Sequence, residues 1–253
     1  MKKVLITGMC LAMGAASYAD IANLGASADT MIWHRDGVTA YVDGNFGSTV
    51  DLDTYHFDAN LNAYSYIQFN MSSLGDIVIN SATLTLTKAA ANPSQGLTGS
   101  DRVDTITTGR IDLFGLNNVA GNTVQNWDES TLTMNNTGNE ITTASIAAAA
   151  GAPFLNSTSF AGLEAVSGGT VITLTGTEIT AFLQGRADDN GYVTFMTANP
   201  DATAGRGYAL DSKESGINVP LLSLDYTVIP EPATLGLIGM ASVGLLVARR
   251  FRI

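Results

Sequence analysis

Two stretches decide the fold: Tyr66-Ile67-Gln68-Phe69-Asn70-Met71 and, further on, Ala82-Thr83-Leu84-Thr85-Leu86-Thr87. In both, apolar and polar side chains alternate, and side chains along an extended strand point to opposite faces in turn. Ile67, Phe69 and Met71 therefore share one buried face, as do Ala82, Leu84 and Leu86. Tyr64, Tyr66, Gln68 and the threonines look the other way. The same period recurs at Ile111/Leu113, Ile172/Leu174, Val193/Phe195 and Leu222/Leu224/Tyr226. Gly, Asn and Asp punctuate the gaps, as in Asp43-Gly44-Asn45 and Asp188-Asp189-Asn190-Gly191, because these residues tolerate turn conformations. One helix is predicted from Thr177 to Gln184, with Thr177 as its cap and Gly185 ending it. The chain reads as all-β, a single antiparallel β-sandwich of jelly-roll type over residues 20–229. The segment 137–169 keeps no period. It is expected to be a long irregular excursion, with one short helix near Ala144–Ala150.

Composition narrows the function classes. Among 253 residues only 14% are charged and 45% are hydrophobic, which excludes a charged disordered tail protein. The single cysteine, Cys10, lies in the first apolar run, so the body has no thiolate chemistry and no disulfide. Between Asp20 and Ile229 seven basic residues oppose 22 acidic ones, a net charge near −15. Such a body repels phosphate backbones, and nucleic-acid binding is excluded.

Both ends are addresses. Lys2 and Lys3 precede an apolar run that ends in Ser17-Tyr18-Ala19, the pattern of a secretory signal peptide over residues 1–19 with its cut between Ala19 and Asp20. At the other end Pro230-Glu231-Pro232 leads into uncharged residues 233–248, and Arg249, Arg250 and Arg252 follow. Sixteen helical residues reach about 24 Å, slightly less than a ~30 Å hydrocarbon core, so snorkelling arginines on the cytoplasmic side complete the span. This order of tripeptide, short span and basic end resembles the PEP-CTERM sorting signal of Gram-negative bacteria. The resemblance implies recognition by an exosortase, a cut near the tripeptide and, after passage through the secretion machinery and a transient stay in the inner membrane, delivery to the cell surface or the extracellular polymer matrix.

The body carries a second resemblance, spread over Asn45-Phe46-Gly47-Ser48, Tyr66 to Leu74, Ile79 to Leu86, Trp127 to Asn136, Ser212-Lys213-Glu214 and Pro220 to Tyr226. These pieces resemble the secreted β-sandwich modules called DNRLRE-domain proteins, a group that includes carbohydrate-binding modules. Met134, Gln68 and Asn70 depart from the family's pattern. The resemblance implies a non-catalytic module that binds a polysaccharide, with a structural or adhesive matrix protein as the alternative and an orphan polysaccharide-processing enzyme as the third reading.

The residues themselves offer two kinds of site. Tyr64, Tyr66 and Gln68 share the outward face of one strand, where aromatic faces stack on sugar rings and amides bond hydroxyls; they are the candidate glycan face. The acidic body favours a neutral polysaccharide over a polyanion. Clustered oxygen donors at Asp51 and Asp53, and at Asp188, Asp189 and Asn190, are the candidate calcium ligands. No His-Glu-x-x-His or Gly-x-Ser-x-Gly element is present, and His34 and His56 are too few for a metal triad; no catalytic residue is assigned.

Overall fold

A computed structural model describes residues 19–35, 42–58, 61–89, 110–117, 119, 125–137, 154–159, 169–199 and 206–229. Eleven strands occupy most of them: β1 (Ala19–Gly25), β2 (Ala28–Arg35), β3 (Asp51–Asp58), β4 (Leu61–Asn70), β5 (Ile77–Thr87), β6 (Arg110–Leu116), β7 (Phe154–Ser159), β8 (Val171–Thr175), β9 (Tyr192–Ala198), β10 (Arg206–Asp211) and β11 (Leu221–Val228). An α-helix, α1 (Thr177–Asp189), runs between β8 and β9. Residues 1–18, the tail from Pro230 onward and the alanine run near Ala144–Ala150 lie outside the described residues. Among the described residues no helix is long and apolar enough to cross a membrane.

The strands form two antiparallel sheets. The smaller has the order β1-β11-β5-β8; the larger follows β10-β3-β4-β9-β6-β7, with β2 also on β4. One edge of β4 carries β2 along Leu61 to Gln68, while its other edge is shared, β3 taking Leu61 to Ala63 and β9 taking Ser65 to Asn70. A single core lies between the sheets. Ile67, Phe69, Met71, Leu84, Leu86, Ile111, Leu113, Ile172, Leu174, Val193, Phe195, Leu222, Leu224 and Tyr226 are all buried in it, the faces that alternation predicts. Each fully buried side chain of this size contributes about 1.5–3 kcal/mol of transfer free energy. Phe195 meets Phe69 edge-on at 6.0 Å between ring centres.

Strand ends are finished by glutamine side chains. Where β8 stops, the amide of Gln184 on α1 donates to the Ile77 carbonyl at 3.0 Å and accepts from the Ile79 N–H at 2.7 Å. A primary amide presents one donor and one acceptor side by side, as a neighbouring strand would. Gln125 instead bridges the last pair of the β6–β9 ladder: its amide donates to the Leu116 carbonyl and accepts from the Thr194 N–H at 2.8 Å.

Three local expectations are corrected: Thr177 is the first residue of the helix rather than its cap, which is Gly176. The helix does not stop at Gly185 but runs to Asp189, because Arg186 continues the buried face of Ile179 and Leu183 and donates to the Tyr192 carbonyl at 3.0 Å. Within the segment read as irregular, Phe154–Ser159 forms β7 on the edge of the larger sheet, paired with β6.

Candidate functional site

The row Tyr64, Tyr66, Gln68 faces away from the main core, as alternation requires, yet it is closed. All three side chains are at most 2% exposed. Tyr64 and Tyr66 lie beneath the segment from Gln125 to Leu132, in a second apolar cluster with Ile32, Phe114, Trp127, Leu132 and Met196. Gln68 is fully engaged: its amide donates to the Gln125 carbonyl at 2.6 Å and accepts from the Ser27 hydroxyl at 2.7 Å. Trp127 fastens the cover by donating its indole N–H to the Thr194 hydroxyl at 3.0 Å. Burial also pushes the Tyr64 phenol above its ordinary pKa. The expected open glycan face is therefore an interior layer. The cause is burial of aromatic area, which outweighs leaving two tyrosines in water.

Neither acidic pair forms an open cluster of ligands. Asp51 and Asp53 share one face of β3 and are buried opposite Asp211 and Ala209 of β10. At the end of α1, Asp188 accepts from Gln184 at 2.7 Å and Asp189 pairs with Arg186 at 3.2 Å. Asn190 accepts from the Tyr192 N–H at 3.0 Å. These oxygens close the turn into β9. Among the described residues no group of three or more His, Cys, Asp or Glu side chains is placed to hold a metal ion.

A different carboxylate cluster emerges, assembled from distant segments. Lys213 donates to Glu129 at 2.7 Å and to Glu214. Asp29, 1% exposed on β2, accepts from the Lys213 N–H at 2.8 Å and gives its own N–H to Glu129 at 3.2 Å. Asn45 donates to the Glu129 carbonyl at 2.6 Å and to that of Leu132 at 2.9 Å. The pieces around Asn45, Trp127 and Lys213 thus meet at Glu129, where they tie the cover to the sheet. Burial first, then the neighbouring Glu214, pushes the Asp29 carboxyl up to about 8. For Lys213, burial opposes the charge, but the hydrogen bonds to Glu129 and Glu214 prevail and hold its pKa above the usual lysine range.

Register also brings together residues that looked scattered. His34 on β2 and His56 on β3 both pair with Asn62 of β4, so the two histidines occupy one transverse row. A cross-strand row is invisible to linear spacing.

Beside α1 an open groove of about 860 Å³ runs along β5, lined by Asn80, Ser81, Thr83, Thr175, Thr180 and Gln184 among others, none of the lining residues being ionisable.

The chain ends define the remaining site. Ala19 and Asp20, the residues flanking the expected signal-peptide cut, open β1 and pair with Thr227 and Tyr226 of β11. Beyond Val228 the Ile229 N–H bonds the Asp76 carbonyl at 2.9 Å. Pro230 comes next. Residues 228–252 match the PEP-CTERM protein-sorting motif. The motif indicates an exported protein with a membrane-associated precursor, sorted to the cell surface through an exosortase. The match leaves the sandwich outside it, and no curated protein matches the chain.

Proposed function

We propose that this chain is a non-catalytic structural or adhesive component of the cell surface or polymer matrix, cut from a membrane-anchored precursor close to Pro230-Glu231-Pro232. The observation that carries the reading is an adjacency. β11 ends at Val228, the last sheet-side bond is made by Ile229, and the sorting motif spans 228–252. The last described strand of the sandwich thus ends where the processing signal starts. Residues 233–248 serve as the span, with Arg249, Arg250 and Arg252 at the cytoplasmic face. Mass spectrometry of matrix-recovered protein is expected to find no peptide from Gly236 to Val247. Replacing Pro230 and Pro232 by Ala is expected to trap a membrane form; intact tail peptides in the matrix fraction, or unchanged release of the variant, defeats the reading.

One observation favours a second reading, binding of a neutral saccharide: the groove along β5 is uncharged and presents serine and threonine hydroxyls on a mostly apolar wall, at a size ordinary for ligand sites. A glycan array probed with the full chain, with and without calcium, tests it. Binding that survives in an Asn80→Ala, Thr180→Ala variant places any glycan elsewhere.

A further inference from the structure

β1 is the edge of the smaller sheet: one of its sides is paired with β11, and among the described residues no strand pairs with the other. The phase of its hydrogen bonds is fixed just beyond the strand, where the Ala26 N–H bonds the Pro220 carbonyl at 3.0 Å. In an antiparallel ladder bonded and non-bonded pairs alternate, so Asp20, Ala22 and Leu24 exchange bonds with Tyr226, Leu224 and Leu222. The N–H and C=O groups of Ile21, Asn23 and Gly25 consequently point to the open side, where the Ile21 N–H donates to the neighbouring Asp20 carboxylate at 2.8 Å, a local bond that an incoming strand exchanges for its own. Natural edges are usually blunted by Lys, Pro or a bulge. β1, with the sequence Ala-Asp-Ile-Ala-Asn-Leu-Gly, has none of these; its register with β11 is unbroken and Ile21 is 71% exposed.

We propose that this edge pairs antiparallel with the β1 edge of a second copy of the chain, joining two sandwiches through one continuous sheet. The strand is complementary to itself. With Asn23 opposite Asn23 of the other copy, Ile21 lies opposite Gly25 in both halves, so each exposed isoleucine covers a residue without a side chain. Ala22 and Leu24, half-buried at the rim of the core, then face Leu24 and Ala22 of the second copy and are covered. Asn23 is already held flat by accepting from the Ser223 hydroxyl at 2.6 Å. Charge does not oppose the pairing locally. Asp20 is the only ionisable residue of the strand, and in this register the two Asp20 residues stand about 20 Å apart, beyond a Debye length of about 8 Å at physiological salt. The pairing is independent of sorting, since a chain never cut by an exosortase carries the same edge.

Cysteine trapping in the full chain tests the proposal, with Cys10→Ser removing the native thiol. Opposed bonded residues have Cα atoms about 5.5 Å apart, within disulfide range, so Asn23→Cys is expected to give a disulfide-linked dimer under mild oxidation. Ser223→Cys lies one strand further in on each copy, about 15 Å from its counterpart, and is expected to link at least about tenfold less. Adding the edge-blunting Ile21→Lys to Asn23→Cys is expected to lower linking by a similar factor. Equal linking at the two positions, or none from a protease-resistant Asn23→Cys chain, overturns the proposal. If Asn23→Cys loses its protease resistance, light scattering of the unmodified chain against Ile21→Lys in the same detergent decides. Halving of the particle's protein mass supports the pairing, and an unchanged mass refutes it.

Discussion

Trp127 and Thr194 are joined by an indole N–H to hydroxyl bond of 3.0 Å, which fastens the covering segment to the middle strand of the larger sheet. Trp127→Ala removes both the bond and the ring, and a loss of about 3–5 kcal/mol is expected. Trp127→Phe keeps most of the apolar area and strands the Thr194 hydroxyl, for about 1–2 kcal/mol. Urea midpoints measure both. Iodide quenching of tyrosine fluorescence in the Ala variant should rise as Tyr64 and Tyr66 are uncovered.

Gln184 stands in for a missing strand on β5. Gln184→Leu leaves the Ile79 N–H and the Ile77 carbonyl without their partner, at an expected cost of about 1–3 kcal/mol. Amide exchange at Ile79 should accelerate more than at Leu84, whose ladder with β8 is untouched. Equal acceleration at both sites means that the variant opens the sheet as a whole.

Gly191 has φ +77°, and a Cβ there would lie 2.6 Å from the backbone of Ser72. Its carbonyl accepts from the Met71 N–H at 2.6 Å, so the two turns cannot separate without losing that bond. Gly191→Ala combines a left-handed conformation with a backbone clash and is expected to cost about 2–4 kcal/mol. Gly185→Ala, on the helix with nothing near its Cβ, should instead gain about 0.5–1 kcal/mol. Thermal melts of the pair separate conformational strain from helix propensity.

Asp29 sets a pH dependence. Its carboxyl is raised to about 8 in the folded chain, against about 3.9 unfolded. The folded state therefore holds a proton that the unfolded state releases between these values. The resulting stability is fully present below about pH 4 and is lost as pH rises through about 8, with a limiting slope of about 1.4 kcal/mol per pH unit for one group. Asp29→Asn, which cannot ionise, should flatten this slope and be the more stable form at pH 9. Urea midpoints at pH 4, 6 and 9 check the sign; a parallel decline in both proteins assigns the slope to other groups.

Much of the fold was legible because a strand with one wet face writes its geometry locally. Ile67 and Phe69, or Leu84 and Leu86, are separated by one polar residue each, and that is enough to assign both strand and face. Closure of the Tyr64–Tyr66 row was not legible, since the cover comes from Trp127 and Leu132, far along the chain and without any period of their own. β7 escaped because Asn156, Ser157, Thr158 and Ser159 do not alternate on an edge strand. The helix outran Gly185 because its continuation depends on Arg186 reaching Tyr192 of the next strand, a tertiary bond. Glu129, Asn45 and Lys213 lie in three of the pieces that carry the resemblance of the body, but no linear spacing shows that the three meet in space. The sorting tail was readable for the opposite reason: Pro230, Glu231 and Pro232 act as a linear string, recognised in order rather than through a fold.

Ala19 lies opposite Thr227, which makes the first strand of the body the neighbour of the last. Contacts of such high sequence separation are slow to form, because a long loop must close before they are made. Export proceeds from the N-terminus, so β1 reaches the far side of the membrane long before β11 does and has no partner until the end of translocation. The smaller sheet can then close only when Leu221–Val228 has emerged. Ala19 and Val228 leave the sandwich at one corner. The smaller sheet is therefore the last part of the fold to be completed, and its closing strand is the one that leads directly into the sorting motif.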